Sequence, residues 1–161
     1  MASIRRERVG SEASRRFGPN LRVLTAYLSD EWIAELDTAL GASPAVRALA
    51  PLVIDQLVAG VPGRGEVRYR VWVDERGGHA RPSGAGDGPP DVWFDTDYRT
   101  AVAIARGEEN AQIALGAGRL RVGGALEALT SRSDALAALG DVSGRLRPGT
   151  TFATVHDAGQ P

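Results

Sequence analysis

The order of periodicities along this sequence predicts an α+β domain, with helices packed against a mainly antiparallel sheet. Three observations carry that expectation. Residues 66–74 alternate, with Val67, Tyr69, Val71 and Val73 opposing Arg68, Arg70 and Trp72, as a strand with one buried face does. An apolar stripe at helical spacing (Trp32, Ile33, Leu36, Leu40) comes before it. Strands arrive first in a run and later interleave with helices, the order of an α+β chain.

Residues 1–19 hold Arg5, Arg6, Arg8, Arg15 and Arg16 against Glu7 and Glu12, without interleaved aromatics or helical amphipathicity, and are expected to be a basic, flexible arm. The domain proper is expected over residues 20–140. Ser29 is a good helix N-cap; Asp30 and Glu31 sit in the first turn, where the helix dipole favours carboxylates, and Gly41 is the expected stop. Residues 52–59 allow a helix continuing from Pro44 or a strand. The β-branched pair Val53-Ile54 and the glycine- and proline-rich residues 60–65 favour the strand. After the alternating strand, Gly77-Gly78 turns the chain into a short strand at residues 79–81, and residues 82–90 form a loop. A strand at 91–96 follows, with Val92 and Phe94 on one face and Trp93 on the other. Asp97 caps a helix bearing Ala101, Ile104 and Ala105, which Gly107 ends. Asn110 opens a shorter helix with Ile113, Ala114 and Ala117 on one side. Leu120 and Val122 alternate with Arg119 and Arg121 in a strand, and Gly123-Gly124 turns into a last helix bearing Leu126, Leu129, Leu136 and Leu139. Past Gly140 the periodicity lapses, so residues 141–161 are expected to be a tail.

Composition narrows the function. At 161 residues the chain fits one domain, burying about two-thirds of its unfolded surface. It has 43% hydrophobic and 24% charged residues and a net charge of −1, and no apolar run approaches the roughly 18 residues that span a bilayer. The N-terminus has no apolar segment after its charges, and there are no cysteines, so the expected compartment is the cytoplasm. All nineteen basic residues are arginine, which excludes a Schiff-base lysine and a phosphate-loop lysine.

Candidate chemistry is sparse. His79 and His156 are the two imidazoles, one after a glycine pair and one in the expected tail, and neither has partners in register for catalysis. No spacing suits a metal. Asp95 and Asp97 lie two apart on a strand end and face the same way, as an acid/base pair or with Asp97 as a helix cap. The glycine clusters at 84–88 and 116–118 stand in the wrong order relative to strand and helix for a phosphate cradle and read as turns. Arg68, Arg70, Arg119 and Arg121 could share a basic face, yet the near-zero net charge argues against nucleic acid. Trp72 and Trp93 fall on the strand face opposite the valines. They serve as packing or as part of an apolar cavity.

The run Asp91-Val92-Trp93-Phe94-Asp95-Thr96-Asp97-Tyr98, then residues 101–107, Asn110-Ala111-Gln112 and residues 118–124, resembles the sterol carrier protein type-2 (sterol-binding domain) family, its short stand-alone bacterial members in particular. The likeness extends over about residues 28–139. It implies a five-stranded, mainly antiparallel sheet covered on one face by helices, with an apolar tunnel between the two layers that takes a sterol, fatty acyl chain or related lipid without chemistry of its own. By position the tunnel would draw on Val92, Phe94, Ala101, Ile104, Ile113, Leu115, Leu120 and Val122. Gly116 stands where the family is bulky and would set ligand size; Ala125 stands where many members have an aspartate, leaving the last helix without a side-chain cap. No cofactor is implied. The expected partners are a hydrophobic small molecule or lipid, with transient membrane contact, and no nucleic acid. Two alternatives stay open: an enzyme or accessory protein of secondary metabolism using Asp95, Asp97, Tyr98 or His79 on a hydrophobic substrate in the same cavity, and an interaction domain that docks a partner chain.

Overall fold

A computed structural model describes residues 23–154; the expected basic arm at 1–19 and His156 lie outside the described residues. The elements run β1 (Thr25–Ala26), α1 (Asp30–Ala42), α2 (Pro44–Arg47), β2 (Leu52–Val61), β3 (Gly65–Asp74), β4 (Gly77–Pro82), β5 (Val92–Asp97), α3 (Tyr98–Ala105), α4 (Ala111–Gly116), β6 (Leu120–Gly124), α5 (Leu126–Ser131), α6 (Ser133–Arg145) and β7 (Thr150–Thr151). The expected caps are in place: Ser29 accepts from the Trp32 N–H, Asp97 from Thr100 and Asn110 from Gln112. Ala125 gives α5 no side-chain cap.

Five strands form one sheet in the order β4-β3-β2-β5-β6. All neighbours are antiparallel except β2 and β5, which run parallel with Ile54 opposite Val92 and Gln56 opposite Phe94. Asp91 ties this junction together. Its N–H donates to Val53 O at 2.9 Å, its carboxylate accepts from Val53 N–H at 2.8 Å, and its carbonyl accepts from Ala125 N–H at 2.8 Å.

The inner face of the sheet carries Leu52, Ile54 and Val58 of β2, Val67, Tyr69, Val71 and Val73 of β3, and Ala80 of β4, all buried with Trp32, Ile33, Leu36 and Leu40 of α1. Because α1 lies against β4, that edge is covered. Asp37 accepts from the Ala80 N–H at 2.8 Å, and Gly78 is needed because a Cβ there would stand 2.5 Å from Val46 Cγ1.

The chain departs from expectation past residue 124. The last helix breaks at Arg132, whose φ of −127° leaves the helical range and whose guanidinium reaches the Pro51 carbonyl. The segment after Gly140 is not a tail through residue 151. Helix α6 continues to Arg145, and β7 then pairs in parallel with β1. A glycine inside a helix costs about 1 kcal/mol, but Gly140 faces solvent, while Ala135, Leu139 and Val142 form a buried stripe across it. Burial of that stripe outweighs the backbone penalty.

The outer face is polar and carries the loop 83–90. Arg70 forks onto Asp55, Nε to Oδ1 at 2.6 Å and Nη2 to Oδ2 at 2.9 Å, and also donates to Gly88 O. Arg81 pairs with Asp87 and sits 5.5 Å over the Trp72 ring, which stacks on His79. The hydrogen bond from Arg81, reinforced by the Gly84 N–H, holds Asp87 down to about 2. Since that value lies below the ordinary 3.8 of an aspartate, the stability Asp87 contributes is complete above about pH 4 and is lost as pH falls towards 2. An acid titration followed by tryptophan fluorescence is expected to report this through Trp72 in that window, and Asp87→Asn is expected to shrink the transition to the part carried by Asp74, which accepts from the Trp72 Nε1–H at 3.3 Å.

Candidate functional site

Strand register brings four of the predicted site residues together. Val92 and Phe94 on β5 and Leu120 and Val122 on β6 share the inner face, Phe94 directly opposite Val122. Helix α4 packs beside β6, and α5 lies against β5. Val92, Leu120 and Ala114 are buried but stand apart from the main core cluster, so this end of the sheet forms a second apolar region. Around it the cover is incomplete. Phe94 and Val122 are half-buried, and Ile113, Leu115 and Leu126 are 64%, 43% and 55% exposed. The half-covered strand pair, flanked by helices whose Ile113, Leu115 and Leu126 are left in water, makes an open seam.

The other predicted positions fall elsewhere. Ala101 belongs to the main core and Ile104 is half-buried on α3. Gly116 is exposed, and a Cβ there would meet nothing within 4 Å. The seam itself is open, with Phe94 and Val122 half-buried. Two shallow concavities lie outside it, one of about 330 Å³ between Asp97, Arg99, Thr100, Ala103, Glu109 and Arg119, the other of about 260 Å³ beside Val102, Arg106 and Phe152. None of the nine predicted residues lines either.

The four residues of the enzymatic alternative are not assembled. Asp95 pairs with Arg121 on the outer face, while Asp97 caps α3 at 2.8 Å from Thr100 N. Tyr98 is buried on the helix side, its hydroxyl accepting from Ala153 N–H at 3.1 Å, and burial pushes its phenol above the usual value. His79 stands three strands away on β4, 3.0 Å from Asp74; the Arg76 backbone N–H and then the His79 contact hold that carboxyl below the usual range. Trp72 and Trp93 lie on the outer face, with Trp93 over Gly123, and so take no part in the seam.

One residue of the seam escaped the sequence reading. Gln56, half-buried, occupies an inward position of β2 between Tyr69 and Phe94. Its signal is an amide interrupting the inward series Leu52, Ile54, Val58, visible once the strand's alternation is counted.

A layer of helices over one face of a mixed, mainly antiparallel five-stranded sheet, with an apolar seam at the β6 end, defines an α+β fold with an interlayer apolar site. The chain has the sterol carrier protein 2 fold. A crystal structure of sterol carrier protein 2 is 20% identical, with a TM-score of 0.58 over 73% of this chain and 97% of that one. The solution structure of the conserved hypothetical protein TT1886 of Thermus thermophilus, a candidate sterol carrier protein, is 19% identical, with a TM-score of 0.58 over 74% of this chain and 88% of that one. At these identities the likeness is one of fold. No family model and no curated protein matches the sequence.

Proposed function

We propose that this protein binds, and hands on, a hydrophobic small molecule of lipid type without chemistry of its own, and that it does so in the cytoplasm. The observation that carries the reading is the seam. Phe94 and Val122 on the inner face are only half covered, and Ile113, Leu115 and Leu126 on the flanking helices α4 and α5 stand in solvent, in the fold of sterol carrier protein 2. A ligand lying between strands and helices would remove the half-covered Phe94 and Val122 from water. Burying about 400 Å² at about 25 cal/mol per Å² is worth roughly 10 kcal/mol before the entropic costs of association. Ile113 and Leu115, on the outside of α4, are suited to brief contact with a membrane as ligand is collected or released. Among the described residues no helix is long and apolar enough to cross one.

Native mass spectrometry of the purified protein is expected to show an adduct of lipid mass that organic extraction removes. Protein that is empty in every preparation, and that also fails to take up fluorescent sterols and acyl chains, would overturn the reading. Self-association in the empty state would point to a docking surface in its place.

A further inference from the structure

Across the inner face, one row of opposed residues runs Tyr69, Gln56, Phe94, Val122 over β3, β2, β5 and β6. The rows on either side are Val71, Ile54, Val92, Gly124 and Val67, Val58, Thr96, Leu120. Residues directly opposite in a sheet stand about 5 Å apart at Cβ, so Gln56 stands between Tyr69 and Phe94 in the row. Cover is graded along the row. Tyr69 is buried, whereas Gln56, Phe94 and Val122 are half-buried, so the row leads from the interior out into the open seam.

The inner end of the row holds one buried donor without a partner among the described residues. Trp32, 4% exposed, meets Tyr69 edge-on with ring centroids 6.0 Å apart, and its buried Nε1–H has no partner among the described residues. Among the same residues, neither the Gln56 amide nor the Tyr69 hydroxyl enters a side-chain hydrogen bond. Burial keeps the Tyr69 phenol neutral and therefore a donor, its ionisation pushed far above neutral pH. Buried donors without acceptors are uncommon in folded proteins and ask what fills them. Among the described residues this face also holds no buried cation. Arg70, the buried ionised side chain among the described residues, points to the opposite face and is forked onto Asp55.

We infer that Gln56, Tyr69 and Trp32 form a polar anchor at the inner end of the seam, and that the ligand is an amphiphile whose buried end is one uncharged oxygen function, an alcohol, ketone or ester, in preference to a free carboxylate. The inference rests on the lipid-binding reading and goes further by naming the head group. Trp32 and Tyr69 donate, and Gln56 both donates and accepts, so an alcohol oxygen and its proton are both satisfied. An ionised carboxylate would find donors but no cation in an apolar setting, where an unpaired charge is heavily penalised.

The test holds the hydrocarbon constant and changes the head. Hexadecane, hexadecan-1-ol and hexadecanoate compete at pH 8 against a pyrene-labelled fatty alcohol for the full-length protein. The expected order places hexadecan-1-ol about tenfold ahead of the other two, the worth of one to two buried hydrogen bonds. Gln56→Leu keeps the volume and removes the amide; it is expected to erase the alcohol's advantage while hexadecane still binds. Tyr69→Phe, which keeps the ring, is expected to reduce the advantage about threefold, and reads the same preference should Gln56→Leu fold poorly. Equal competition by all three, a lead for hexadecanoate, or an undiminished preference in both variants overturns the anchor and leaves the lipid-binding reading standing. Failure of every probe to bind protein shown folded by circular dichroism overturns both.

Discussion

Asp55→Ala is expected to lower the unfolding free energy by about 3 kcal/mol, because it leaves the Arg70 guanidinium buried without its partner. The Arg70 side chain is 10% exposed and spends its donors on both Asp55 oxygens and on Gly88 O. Asp55 is more open, at 29%, which lets water relieve part of the loss and sets the value at the low end for a broken buried pair. Urea denaturation at pH 7 measures it as a shift of the midpoint at unchanged slope. Replacing the cation as well, in Asp55→Ala/Arg70→Met, is expected to recover most of the loss, since the penalty lies in the orphaned charge. A cost under about 1 kcal/mol for Asp55→Ala would mean that the pair behaves as a surface one. Lipid binding is expected to survive, because both side chains lie on the face away from the seam.

Trp32→Ala is expected to cost more, about 4 kcal/mol, the range for truncating a fully packed indole. Trp32 fills the space under α1 between Tyr27, at 4.9 Å between ring centroids, and Tyr69 at 6.0 Å, both edge-on. Tyr27 in turn touches the Phe152 ring at 5.1 Å, just beyond β7. The truncation therefore loosens the β1–β7 corner as well as the core. Thermal melts by circular dichroism measure the total, and faster amide exchange at Tyr27 and Thr151 would locate the part at the corner. Trp32→Phe is expected to keep at least half of the loss from appearing, since it retains an aromatic ring between the two tyrosines.

Much of this fold can be read locally, and that is where reading succeeded. Ser29, Asp97 and Asn110 cap helices through their own backbone neighbourhood, and the alternation of residues 66–74 survives any tertiary context, so β3 and three helix starts are legible. What depends on distant partners is not. A glycine after a fading stripe looks like an ending, but Gly140 turns to solvent, and the packing of Val142 keeps α6 going. Helix α4 has six residues, too few turns for spacing to tell that Ile113 and Leu115 face water while Ala114 is sealed. The inward aim of Gln56 depends on how β2 registers with β3 on one side and β5 on the other, a non-local fact. The openness of the seam is non-local for the same reason. Val92, Phe94, Leu120 and Val122 share one face by strand alternation, but exposure is decided by how far helices reach over them.

The single parallel junction between β2 and β5 gives the sheet two halves with different obligations. On one side the meander β4-β3-β2 and α1 hold most of the core cluster. On the other, β5, β6, α4 and α5 hold the seam and contribute little to that cluster. Asp91, bonded to Val53 behind it and to Ala125 ahead, is the hinge-pin between them. Substitutions in the β6 half can therefore remodel what is bound at small cost to what keeps the chain folded. On the lipid-binding reading proposed above, a lineage of such proteins is free to change its ligand while keeping its frame.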